Sequence, residues 1–210
     1  MRSFLTASAT TLVLSLMSSC GVGVDSSPRI LQPSSSTTTT VVGPAAGRVT
    51  SVLYYVRDGS LLPQISELAD SGLKTVLVAN LRPPQPAAEA DGVLTSIPAG
   101  TRLLNLRQVG DTLTLNLSSE FNKVVGLSRQ QAIGQLILTA TERSEVTNLN
   151  FEINGDPIQV STPASGDAAT VTACDFAPLL ATEADALSAG LSPETSRELD
   201  ARRASLAARC

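Results

Sequence analysis

The residues able to do chemistry in this 210-residue chain are few and widely spaced. Histidine is absent, which removes the imidazole base of Ser-His-Asp and Cys-His catalysis and the usual ligand of catalytic zinc. Carboxylates remain as acid and base. Asp58, Asp111 and Glu120 are predicted at strand ends beside turns, and Asp111 with Glu120 would be the pair for glycan hydrolysis or for gripping a sugar. Each also has a simpler role: Asp58-Gly59 and Gly110-Asp111 are turn dipeptides, and Glu120 suits a first helical turn. The two lysines, Lys74 and Lys123, stand in no serine–lysine pattern, and the chain has no Asp-x-Asp run of the kind that holds calcium. Gly21-Val22-Gly23 does not join a strand to a helix as a phosphate loop does. The residues therefore predict no catalytic group, no cofactor and no metal site.

A formal net charge of −4 and 3% aromatic residues offer neither a positive field for phosphate backbones nor stacking platforms for bases, which argues against a nucleic-acid partner. Recognition of another protein is the better-supported class. Tyr54 and Tyr55 alternate on one predicted strand, so one is expected in the core and the other on the surface, where with Arg57 and Arg107 it would anchor a partner. Exposed strand edges give a second route, through addition of a partner's strand.

The three cysteines carry the remaining chemistry. Residues 1–19 have one positive residue, Arg2, then a short apolar run, then small residues, which is the layout of a secretory signal. The end of that segment, Leu16-Met17-Ser18-Ser19-Cys20, resembles the bacterial lipobox, so Cys20 is the predicted lipidation site and new N-terminus. Diacylglycerol and acyl groups on Cys20 would hold the protein on the extracytoplasmic face of the cell membrane, because two or more chains anchor stably where one does not. Within residues 20–48, the Ser/Thr/Pro-rich stretch 25–47 is too poor in apolar residues to offset its ordering entropy. It reads as a disordered tether with a root-mean-square span of about 25 Å and a stretched length of about 75 Å. Outside the cytoplasm Cys174 and Cys210 are an even pair and are predicted to form a disulfide, which would remove denatured-state entropy equivalent to roughly 3–4 kcal/mol. The Arg-for-Lys bias and abundant alanine suggest a GC-rich bacterial genome.

The elements that must position these residues are read from periodicity and turn chemistry. Val52-Leu53-Tyr54-Tyr55-Val56-Arg57 and residues 61–68 flank Asp58-Gly59 as two strands of a hairpin. Residues 71–81 have helical spacing and stop at Arg82-Pro83-Pro84-Gln85-Pro86. Ile97-Pro98-Ala99-Gly100 fits a type I turn before a strand over 102–107. Thr112-Leu113-Thr114-Leu115-Asn116-Leu117 alternates strictly, with its leucines facing the core. Ser128-Arg129-Gln130-Gln131 makes a capping box that starts a helix, with Ile133, Leu136, Ile137 and Ala140 as its buried stripe. Residues 151–160 form two short strands about Asn154-Gly155, with Pro157 on an edge. Beyond them, 161–167 reads as loop, and 176–189 and 193–208 as two shallowly packed helices. The fold class is α+β: one small domain over 49–160, with a mixed or antiparallel sheet of about five strands on two helices, and a helical C-terminal tail over 161–210.

The order of these features resembles the GerMN domain of sporulation and spore-germination proteins, found also in actinobacterial envelope lipoproteins. The resemblance is carried by Leu53-Tyr54-Tyr55-Val56, Asp58-Gly59, Ser96-Ile97-Pro98-Ala99-Gly100-Thr101, residues 115–121, the helix over 130–143 and the closing residues 151–157. Asn116 stands where the family often has Asp, and Asn80-Leu81-Arg82-Pro83-Pro84 replaces its usual Leu-x-x-Gly-Pro. The resemblance implies a small α+β domain without established catalytic residues, used in assembling proteins outside the cytoplasm. The expected function is thus a lipid-anchored protein-interaction module of the bacterial envelope, linked to sporulation, germination or envelope signalling, and not an enzyme. The alternative is a wall-glycan hydrolase or sugar-binding protein using Asp111 and Glu120.

Overall fold

Strict alternation in β4 (Thr112–Leu117) buries Leu113, Leu115 and Leu117 on one face and makes this strand the axis of the fold. The computed structural model describes residues 47–188 and 190–210; the expected signal segment, Cys20 and nearly all of the expected tether lie outside the described residues. β4 pairs antiparallel with β3 (Leu103–Val109) across Gly110-Asp111 and parallel with β5 (Asn148–Ile153). A parallel neighbour requires a crossover, supplied by a 3₁₀ turn (Ser119–Lys123) and α3 (Gly126–Ala140). β5 in turn pairs with β6 (Asp156–Ile158) through an Asn154-Gly155 turn with φ of 52° and 92°, and with β9 (Thr170–Thr172). Pro157 lies on β6 at the sheet's edge, where its missing donor costs no ladder bond.

A separate hairpin, β1 (Val49–Arg57) with β2 (Ser60–Leu68), turns at Asp58 and Gly59, both at positive φ, as a two-residue hairpin demands. α1 (Leu73–Asn80) ends at the prolines, and a short α2 (Pro86–Ala90) follows. α3 runs between the large sheet and this hairpin, which is why every residue from 131 to 140 is buried. Each face of β1 has a core of its own: Tyr54 and Val56 join the main core with α3, while Leu53 and Tyr55 pack with Val76 and Val93. Both tyrosines are therefore buried, at 4% and 3% exposure, and the expectation of one surface tyrosine is corrected.

Two further expectations change. α3 starts at Gly126 with Val125 as its N-cap, two residues before Ser128, and no side chain caps it, so the capping box over 128–131 does not form. Residues 161–167, read as loop, lie in a hairpin of β7 (Val160–Thr162) and β8 (Gly166–Ala168), with only 163–165 as its turn. The C-terminal segment also packs more deeply than its sparse apolar content suggested. Phe176, in a 3₁₀ segment (Ala173–Leu179), is fully buried in the main core. α4 (Glu183–Ser188) and α5 (Pro193–Ala207) bury Ala186 and Leu199 against Leu62, and Ser192 caps α5 by accepting from the Thr195 amide. Cys174 and Cys210 are joined in a disulfide with Cα atoms 5.7 Å apart. Among the described residues no helix is long and apolar enough to cross a membrane.

Candidate docking site

The carboxylates singled out by the sequence are held apart. Asp111 stands before the first residue of β4 and Glu120 beyond its last, so about 20 Å of strand separates them. A glycosidase pair stands no more than about 9.5 Å apart. Asp111 serves the fold: its carboxylate accepts from the Thr147 hydroxyl and from Asn148 Nδ2 (3.2 Å), and its carbonyl accepts the amides of Thr147 and Asn148. These bonds, Thr147 first, hold its carboxyl below the usual range. Asp58 occupies the left-handed turn of the first hairpin, 3.8 Å from Arg57. Glu120 lies in the 3₁₀ turn after β4. A hydrogen bond from Ser118 lowers its pKa first, with Arg102 and Lys123 contributing. Among the described residues no three His, Cys, Asp or Glu side chains cluster as a metal site would require.

Buried polar side chains knit the domain instead. Gln131, Gln135 and Thr139 repeat every four residues along α3 and face the hairpin. The Tyr54 amide donates to Thr139 Oγ1 (3.0 Å), and the Tyr54 carbonyl accepts from Gln135 Nε2 (3.1 Å) and Asn80 Nδ2 (3.0 Å). These side chains do for β1's second edge what a neighbouring strand would do. Gln135 Oε1 also accepts the Ser96 amide (2.8 Å), and Gln131 links the Ser96 hydroxyl (2.9 Å) to the Gly59 carbonyl (2.8 Å). The four-residue repeat of amide and hydroxyl side chains is visible in the sequence, but Gln131 also fits the local capping pattern of 128–131, which hides the stripe.

A second polar cluster ties α5 to the body. Tyr54 Oη donates to Glu142 (2.7 Å), which also accepts from Arg202 (2.7 Å), and Arg202 reaches Glu198 on its own helix (3.1 Å). Tyr54, Glu142 and Arg202 line a cleft of about 280 Å³, where Glu142 and Arg202 pair with each other. Burial opposes Arg202's charge, but its bonds to Glu142 more than offset that and raise its pKa. Arg57 and Arg107 do not flank an exposed tyrosine: Arg107 stands on the outer face of the large sheet, 3.9 Å from Glu152.

One groove bordered by arginines lies where two of the motif segments meet. Tyr55 Oη donates to the Arg82 carbonyl (3.4 Å) beside the prolines that end α1. Opposite, the Pro98 carbonyl accepts from both the amide and the hydroxyl of Thr101, with Gly100 at φ 85°. The turn is thus of type II over Pro98 to Thr101, one residue later than the type I turn expected, because only glycine enters that third position cheaply. Between the segments is a groove of about 430 Å³, lined by the buried Ile97 and Thr101 and the half-buried Leu81, with Arg82, Pro83, Ala99 and Arg102 exposed at its border. Neither arginine makes an ion pair within 4 Å among the described residues. The groove opens where β3 begins, and no strand among those described pairs with β3's outer edge.

A family model described as Germane, sporulation and spore germination, matches residues 41–159. No curated protein sequence matches. Among solved structures, the tandem GerMN domains of the sporulation protein GerM from Bacillus subtilis superpose with a TM-score of 0.51 and 21% identity, over 61% of this chain and 48% of that one. The first GerMN domain of the same protein gives 0.49 and 22%, over 59% of this chain and 97% of that one. The chain thus spans about half the length of the tandem structure, and the likeness is one of fold.

Proposed function

Because this chain belongs to the Germane family of sporulation and spore-germination domains, we propose that it is a lipid-anchored docking module of the bacterial cell envelope, acting through contact with another envelope protein. Cys20 carries the lipid, residues 20–48 form the tether, and the folded part presents the groove beside β3 outside the cytoplasm. The observation that supports contact over bond-making is the position of the acids, with Asp111 and Glu120 at opposite ends of β4 and Asp111 fastening β5's first residues. A glycan hydrolase built on Asp111 and Glu120 is not favoured by that separation.

Intact mass and detergent fractionation test the anchor: the chain should partition with membranes at the mass of an acylated Cys20 form, and Cys20→Ser should release it. Crosslinking in intact envelopes tests the docking role through a stoichiometric protein partner. Muropeptide turnover that is lost in Asp111→Asn or Glu120→Gln would overturn the reading.

A further inference from the structure

We propose that the groove between residues 81–83 and 97–102, together with the open edge of β3, receives an extended acidic peptide segment of a protein partner, added as a sixth strand to the sheet. This rests on the docking reading above and specifies its surface and its ligand chemistry.

The backbone supplies the first half. In a two-residue hairpin the closing residues exchange both of their hydrogen bonds, so Val109 with Thr112, Arg107 with Thr114 and Asn105 with Asn116 are the bonded pairs across β3 and β4. The amides and carbonyls of Leu106 and Gln108 then point outward, away from β4. Such a row of unpaired donors and acceptors is a template for an added strand. A register shift between Leu103 and Asn105 marks a bulge at Leu104, which confines regular pairing to the five residues from 105 to 109.

Side chains select the occupant. Leu104 and Val109 are 48% and 65% exposed, and the groove at the start of the strand is lined by Leu81 and Ile97, so an apolar side chain of the peptide finds a place there. Arg82 and Arg102 flank that place without ion-pair partners, and Arg107 follows on the outer face. Arg102 is near enough to help lower the Glu120 carboxyl but forms no ion pair with it within 4 Å among the described residues. In a chain of net charge −4 this is a local reversal of sign. Pairing of β3 with β3 of a second copy would bring the two sets of arginines together, which disfavours self-association and favours carboxylates.

Three blocked peptides test this against the full-length chain in detergent, read by amide chemical shifts. The first alternates glutamate with valine and leucine, the second replaces glutamate by lysine, and the third is the acidic peptide methylated on alternate backbone nitrogens. The acidic peptide should shift the amides of residues 104–109 and bind roughly tenfold more tightly than the lysine version. R82E/R102E should remove that preference, both sites being exposed and outside the core, and N-methylation should abolish binding. Equal binding of the acidic and lysine peptides, shifts away from β3, or indifference to N-methylation would each overturn the proposal. So would displacement of the acidic peptide by anionic lipid incorporated into the detergent micelles, which would assign the arginines to a membrane surface. Photo-crosslinkers at Val109 and Ile65, on separate exposed strands, keep the two levels apart. A stoichiometric envelope partner captured only from Ile65 leaves docking intact and sinks the β3 site; capture from neither sinks docking itself.

Discussion

Tyr54 ties β1 to three other parts of the fold through its backbone and its hydroxyl. Its amide rests on Thr139, its carbonyl on Gln135 and Asn80, and its hydroxyl on Glu142. Replacing the fully buried Thr139 by valine keeps the shape and leaves the Tyr54 amide without an acceptor. Chemical denaturation should show a loss of about 1–3 kcal/mol, far more than for an exposed threonine. The two tyrosines also set an alkaline limit. Burial pushes Tyr55 from 10.0 up to about 12, and burial, then Glu142, pushes Tyr54 upward as well. Both raised values mean that the unfolded chain gives up these protons first. Their contribution is therefore complete below pH 10 and declines as pH rises toward the native values. The chain has two tyrosines and no tryptophan, so a near-ultraviolet titration reads these groups alone: the native protein should show no tyrosinate at pH 10, and urea should reveal it. Tyrosinate appearing in the native state near that pH would mean that the second face of β1 is open.

At the scale of elements, α3 accommodates its neighbours by omitting a side chain. A Cβ at Gly134 would lie 2.6 Å from Leu61 Cδ1 and 3.2 Å from Phe176 Cδ1, both of fully buried residues. Alanine normally strengthens a helix interior by about 1 kcal/mol over glycine. Here crowding outweighs that gain, and Gly134→Ala should lower stability by about 1–2 kcal/mol net in a urea melt. A gain would mean the hairpin can withdraw from α3. The same elements show what the residue pattern made legible. Strands β1 to β6 declared themselves through alternation and through Asp-Gly, Gly-Asp and Asn-Gly turns, which are local signals. The start of α3 did not, because Ser128 and Gln131 satisfy a local capping pattern while Gln131 is drawn to Ser96 and Gly59, more than 30 residues away. β7, β8 and β9 are three residues each, too short for periodicity to register. The groove's two walls were both visible as proline-marked segments, but their approach depends on tertiary packing that no local pattern encodes.

For the molecule as a whole, the C-terminal quarter works as a brace. Val171 of β9 and Phe176 are fully buried within the main core, and the Cys174–Cys210 disulfide holds the end of α5 near that segment. Cys174→Ser with Cys210→Ser should cost roughly 3–4 kcal/mol. Hydrogen exchange should quicken first in α5, which would still be held by Arg202 and Glu142, while β4 and β5 stay protected. Uniform loss of protection would instead make the brace part of the folding core.

The edge of β1 has a consequence for how the protein is made. Thr139, which receives the Tyr54 amide, lies 85 residues downstream. At about 5–20 residues per second it emerges roughly 4–17 s later. Throughout that interval the nascent stretch Val52-Leu53-Tyr54-Tyr55-Val56 is an uncharged, β-branched and aromatic ribbon with one naked side, the composition most prone to amyloid-like stacking. Co-expression of a holdase should therefore raise the soluble yield, and overproduction without one should end in inclusion bodies seeded from that ribbon.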